Sequence, residues 1–247
     1  MGGGAAQALR RFPDTLYFMD VRRLVSAALF LPIFGVATIF AASAPVVARP
    51  VIVCYGDSIT AGHGLAYGQA YPDFLQKKLD AEGYRYKVVN QGTSGATTKD
   101  ALAGLPYLLR LHPAVVIVEF GGNDGLRGLP VAETRRNLDQ LLTALEKAHV
   151  KIVFAGITLP PDYGPDYIQS FQQMFRALAA RHRVAFVPML YRNLIHAPGT
   201  IQSDGIHPTA KGSAIIADTL FPVLRPLLDS HSSSKGLSKA GAPGKEQ

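Results

Sequence analysis

Five short, nearly unbroken apolar runs alternate with helical patterns along this chain, and that alternation limits the folds open to it. The runs are 51–55, 86–90, 114–120, 151–157 and 184–187. Runs of this length without a polar face are expected for strands buried on both sides of a parallel sheet. Between and after them lie helix-like segments, roughly 72–81, 98–109, 131–148, 166–182 and 208–228. In the third, Leu138, Leu141, Leu142 and Leu145 recur at three- and four-residue spacing, with Arg135, Arg136 and Lys147 on the other side. The pattern predicts an α/β fold: a doubly wound, five-stranded parallel sheet of flavodoxin type. No longer period appears, which excludes a repeat architecture.

A chain of 247 residues accommodates one such domain with extensions at both ends. Arg22-Arg23 precede an apolar run, 24–42, and a small-residue site ends at Ala48. Positive flank, apolar stretch and small-residue site predict a secretory signal cleaved after Ala48, or else a retained inner-membrane anchor. Met19 opens a complete signal by itself, so 1–18 read as an upstream extension. The expected organisation is therefore 1–48 as extension and signal or anchor, 49–229 as the folded domain, and 230–247 as a disordered polar tail. An exported, periplasmic protein is the expectation, touching a membrane only through that anchor. The net charge of +7 owes much to the ends, and the body shows no basic stripe, which argues against nucleic acid as a partner. The single cysteine, Cys54, excludes an internal disulfide and any Cys-based zinc site, and it reads as a core residue. A monomer is the default.

In open α/β sheets, ligands bind beyond the carboxyl ends of the strands. The loops at that edge carry Gly56-Asp57-Ser58, Gly92-Thr93-Ser94-Gly95, Gly121-Gly122-Asn123-Asp124, Leu159-Pro160-Pro161 and Asp204-Gly205-Ile206-His207-Pro208. Their convergence predicts an active site. Ser58 is either a helix cap or a nucleophile, and a serine nucleophile needs a base. Of the seven histidines, His207 stands out because Asp204 precedes it by three residues on a loop. One short turn can then place the carboxylate on imidazole Nδ1 and leave Nε2 for Ser58. The same residues could equally be a turn cap with a histidine after it. Candidate oxyanion donors are the amides of Ser58 and Gly95 and the side chain of Asn123. No metal-binding, dinucleotide or P-loop motif is present, so no metal or cofactor is expected.

GDSITAGHGL, NQGTSGAT, VEFGGNDGLRG and DGIHP, in that order, resemble the four blocks of the GDSL/SGNH hydrolases. They are most similar to the bacterial multifunctional thioesterase I/lysophospholipase/arylesterase branch. The resemblance spans essentially Val51 to Leu228. It implies Ser58 as nucleophile, His207 as base, Asp204 as its orienter, and Ser58, Gly95 and Asn123 as the oxyanion hole. Ala96 departs from the branch, which usually has Asp there. By the same resemblance the loops after Asn123 and after the fourth strand contact the acyl chain, making Asp124, Gly125, Leu126, Arg127, Leu159 and Pro160 candidate substrate contacts. Their apolar side chains on Gly/Pro-rich loops suit an acyl groove with a mobile rim, and Arg127 could meet an anionic head group. The expected activity is hydrolysis of acyl esters or thioesters. The alternatives are a carbohydrate deacetylase of the same superfamily and a non-catalytic binding module.

Overall fold

The computed structural model describes residues 48–229. The proposed signal or anchor and the polar tail lie outside the described residues, as does the question of cleavage at Ala48. Among the described residues, no helix is long and apolar enough to cross a membrane.

Five strands form one parallel sheet: β1 (Val51–Gly56), β2 (Lys87–Gly92), β3 (Pro113–Glu119), β4 (Lys151–Ala155) and β5 (Ala185–Val187). Their spatial order is β2-β1-β3-β4-β5. The connecting helices are α1 (Ser58–Ala61), α2 (Tyr71–Ala81), α3 (Thr98–Leu109), α4 (Gly122–Leu126), α5 (Val131–Lys147), α6 (Pro165–His182) and α7 (Ala210–Leu224). Right-handed crossovers put α2 on one face of such a sheet and α3, α5 and α6 on the other. The contacts agree, since α2 packs with α7 while α5 packs with both α3 and α6.

All five apolar runs became strands, but they are not equally buried. Central β3 has Val115, Val116, Ile117 and Val118 fully inaccessible. β1 sits beside it rather than at the centre, and Cys54 is one of its buried core residues. β2 is an edge strand and only half-buried, against the expectation of burial on both faces. Leu138, Leu141, Leu142 and Leu145 form the fully buried stripe of α5. Each such leucine contributes about 1.5–3 kcal/mol by leaving water. α7 starts at Ala210, later than expected, because Pro208 is held in an antiparallel bridge with Ile201 and Thr209 caps the helix. It ends at Leu224, where Arg225–Leu227 tighten into a 3-10 turn around Pro226, which has no amide proton to continue the ladder.

β1 leads leftward to β2, whereas β3 is reached by crossing back over β1. The chain therefore reverses direction between β1 and β3, and a crevice opens there at their carboxyl ends. The residues that follow these two strands are Asp57-Ser58 and Gly121-Gly122-Asn123.

Candidate active site

Gly56 has no room for a side chain, because a β-carbon there would overlap the Thr60 hydroxyl and the Glu119 carboxyl. This close approach lets the strand turn directly into α1. Asp57 caps that helix by accepting the Ile59 amide at 3.0 Å, and Ser58 is its first residue. α1 is a single turn of four residues, so it supplies free amide groups rather than a sizeable dipole.

Ser58 Oγ lies 2.9 Å from His207 Nε2, and His207 Nδ1 lies 2.7 Å from Asp204 Oδ2. The other oxygen of Asp204 accepts the backbone N–H groups of Ile206 at 2.9 Å and His207 at 3.0 Å. The Ile206 amide, then the His207 ring and amide, lower the Asp204 carboxyl to about 2. An ionised Asp204 fixes the proton on Nδ1, which leaves Nε2 to accept from the Ser58 hydroxyl. Two ties hold this loop in place: Gln202 N–H donates to His207 O at 2.8 Å, and Gln202 Nε2 donates to His63 O at 2.8 Å. His182, in the last turn of α6, bridges Asp139 at 2.8 Å and Glu146 at 3.0 Å, joining α6 to α5.

The three candidate oxyanion donors differ in readiness. Within the described residues the Ser58 and Gly95 amides donate to no other group. Gly95 adopts φ +80°, a left-handed conformation that favours glycine. The Asn123 amide, by contrast, is already engaged, donating to Ala96 O at 2.9 Å and to Asp57 Oδ2 at 3.2 Å. The longer bond to Asp57 is the one that can yield to a developing oxyanion.

A cavity of about 450 Å³ begins at Ser58, Asn123 and His207 and continues between Leu126, Ile157, Leu159, Pro160 and Ile206. Leu126, Leu159 and Pro160 thus stand where substrate contacts were expected. Three other candidates do not. Asp124 is buried, accepting the amide and hydroxyl of Thr98, so it rivets α4 to the start of α3. Gly125 packs beneath Leu159, where any side chain would collide with it. Arg127 donates to Gly95 O at 2.8 Å and so fastens the loop that carries a candidate donor, instead of waiting for a head group. The rim is also tied down, with Tyr163 and Tyr167 each donating at 2.7 Å to the carbonyls of Leu126 and Leu129.

Sequence reasoning missed three participants. The His63 ring lies against His207, centroids 4.5 Å apart. Tyr191 lines the cavity and donates to Ile206 O at 3.0 Å. Glu119 lies behind Asp57, donating nothing to the cavity itself but accepting the Asp57 amide at 3.3 Å. Only Glu119 left a signal: a lone acid at the end of an apolar strand.

The profile of the GDSL-like lipase/acylhydrolase family matches residues 54–215. The chain belongs to that family. It is 41% identical over 182 residues to Esterase TesA of Pseudomonas aeruginosa, spanning 73% of this chain and 90% of that protein. It is 35% identical to the Thioesterase 1/protease 1/lysophospholipase L1 of Escherichia coli, over 74% of this chain and 86% of that protein. The crystal structure of TesA superimposes with a TM-score of 0.69, covering 72% of this chain and 99% of the other. AlinE4, an SGNH-hydrolase family esterase, gives a TM-score of 0.61 at 34% identity, over 74% of this chain and 98% of that one. This GDSL-like chain is thus matched over nearly the whole length of proteins named as esterases.

Proposed function

We propose that this chain is a serine esterase that hydrolyses acyl esters and thioesters, arylesters and lysophospholipids among them, through an acyl-enzyme on Ser58. The observation that carries this reading is the 2.9 Å contact of Ser58 Oγ with His207 Nε2 at the mouth of an apolar cavity. Ser58 attacks the acyl carbonyl while His207 Nε2 takes the hydroxyl proton, and Asp204 stabilises the imidazolium that forms. The oxyanion is met by the amides of Ser58 and Gly95, with Asn123 turning its weaker bond from Asp57 toward it. Collapse expels the alcohol or thiol, which receives the proton from His207. A water then repeats the sequence and frees the acid. Esters and thioesters share the tetrahedral intermediate, so one site serves both. The apolar lining counts against the carbohydrate deacetylase reading, for which a polar, open site is required.

A chain-length series of p-nitrophenyl esters tests this with the full chain. Each methylene that enters the cavity contributes up to about 0.8 kcal/mol, so kcat/KM should rise by as much as about fourfold per carbon before levelling off. A preference for acetyl over longer acyl groups would point to the deacetylase, and no hydrolysis of any ester would sink the esterase.

The leader-like residues 22–48 support export to the periplasm with cleavage after Ala48. N-terminal sequencing of the mature protein should then begin at Arg49. Sequence from within the apolar run would indicate a retained anchor.

A further inference from the structure

Behind Asn123 lies a buried pair of carboxyl groups, one from the turn before Ser58 and one from the end of β3. Asp57 and Glu119 are each only 2% exposed. Asp57 Oδ1 accepts the Ile59 amide at 3.0 Å, and Oδ2 accepts the Asn123 side-chain amide at 3.2 Å. Glu119 Oε2 accepts the Thr60 hydroxyl at 2.8 Å and the Asp57 amide at 3.3 Å. Glu119 Oε1 is buried with no donor reaching it among the described residues. The two acids are immediate neighbours, since it is the Asp57 backbone amide that Glu119 Oε2 accepts, and each raises the cost of the other's charge. Among the described residues, no ion pair links either to a lysine or arginine.

Two adjacent buried carboxylates without a cation cannot both stay ionised. Asp57 is the better anion, since two N–H groups already donate to it. A proton on Glu119 would make it a third donor for Asp57, and Oε1, which accepts from no group, is the oxygen free to carry it. We propose that Glu119 is a neutral carboxylic acid at working pH that donates to Asp57, and that it acts as a positioning residue for the Asn123 oxyanion donor. Burial, reinforced by the Asp57 charge, pushes Glu119 well above the usual carboxyl range, whereas Asp57 is raised by burial only to about 6. The other groups acting on the pair are few. His207 favours the Asp57 charge and Asp124 opposes it, while Tyr71, bonded to Thr60, and Tyr191 on the cavity wall are held neutral, mainly by burial. Cys54 beneath them is likewise neutral, its thiol pushed up to about 12.

The arrangement has a purpose in acyl transfer. An ionised Glu119 would put a second negative charge behind the forming oxyanion. A protonated one removes that charge, and its bond to Asp57 weakens the hold of Asp57 on the Asn123 proton. The Asn123 amide then stays aimed at the site yet can yield to the oxyanion.

Infrared spectroscopy of the full-length wild type at about pH 8, where ordinary carboxyls are ionised, should show one protonated-carboxyl C=O stretch. Glu119→Gln should lack it. Absence of the band from the wild type overturns the proposal, whether or not any variant folds. Stability gives a second readout. A carboxyl raised above its unfolded value of 4.5 gives stability that is complete below that pH and is lost as pH rises. The melting temperature of Glu119→Gln should therefore gain on the wild type between about pH 5 and pH 8, because Gln has no proton to keep. A constant difference across that range would be the contrary result. In kinetics, Glu119→Ala should lower kcat by about 10²-fold with KM little changed, the cost of one misplaced oxyanion donor, and Glu119→Gln should recover most of that loss. Equal damage from both replacements overturns the positioning role. Only this last readout rests on the esterase reading; the infrared band and the melting curves are measured whether or not an ester is cleaved.

Discussion

Replacing Ser58 with alanine should lower kcat by about 10⁶-fold, to the residue of rate that binding and oxyanion donors alone sustain. The reason is chemical and local. The described cavity places one hydroxyl against an imidazole nitrogen, at 2.9 Å; of the other two hydroxyls on its wall, Tyr191 donates to a backbone carbonyl and Thr158 accepts from the Gln172 side chain. Alanine removes the attacking oxygen and little else. The cap of α1 comes from Asp57, and the backbone bonds from Gly62 and His63 to Ser58 O involve no side chain. The fold should therefore persist, with a melting temperature close to that of the wild type. A fluorophosphonate should label the wild type once, at Ser58, and leave Ser58→Ala unlabelled. Hydrolysis within a hundredfold of the wild type, or labelling of the variant, would place the nucleophile elsewhere.

The parts of this molecule that could be read from sequence are those where local pattern and tertiary role agree. The four leucines of α5 announce a buried stripe by their spacing, and all four are fully buried. The strands announce themselves by apolar runs, but nothing in residues 86–90 distinguishes an edge strand from an inner one. Strand order depends on long-range pairing, which leaves no local mark. α4 was hidden for the opposite reason. Gly-Asn-Asp-Gly-Leu is a poor helix by propensity, and it is held in place by Asp124 on Thr98, by Asn123 on Ala96 and by Tyr163 on Leu126. Those same ties explain why Asp124 and Arg127, legible as polar residues next to a candidate donor, serve to hold loops instead of lining the cavity. Asp204 and His207 suggested a pair by their spacing on one loop, with a turn cap as the equal alternative, and the structure brings both into line with Ser58. His63 and Glu119 reach the site only through the packing of β1, β3 and the loop after α1.

Asp204→Asn should keep the fold and lose about 10⁴-fold in kcat. The asparagine carbonyl can stand at the Oδ1 position and keep the amide bonds from Ile206 and His207, at 2.9 and 3.0 Å. Its NH₂ then faces His207 Nδ1, the atom now 2.7 Å from a carboxylate oxygen. An NH₂ group donates, so Nδ1 must give up its proton, and the neutral ring carries it on Nε2. Nε2–H confronts the Ser58 hydroxyl as a second donor and cannot take its proton. The loss should fall on kcat, with circular dichroism and melting temperature nearly unchanged, because the Asp204 side chain is 41% exposed and an ion pair there contributes little to stability. The pH profile gives a further readout. With its carboxyl held down near 2, Asp204 stays charged across any practical assay range, so the fall of activity on mild acidification belongs to other groups. Asp57, raised by burial to about 6, is one that gains its proton there and loses its place as the acceptor for Asn123. Wild-type kcat/KM should therefore decline as pH drops through about 6, and the small residual rate of Asp204→Asn should decline over the same range. Activity of Asp204→Asn within tenfold of the wild type at neutral pH would remove Asp204 from the triad.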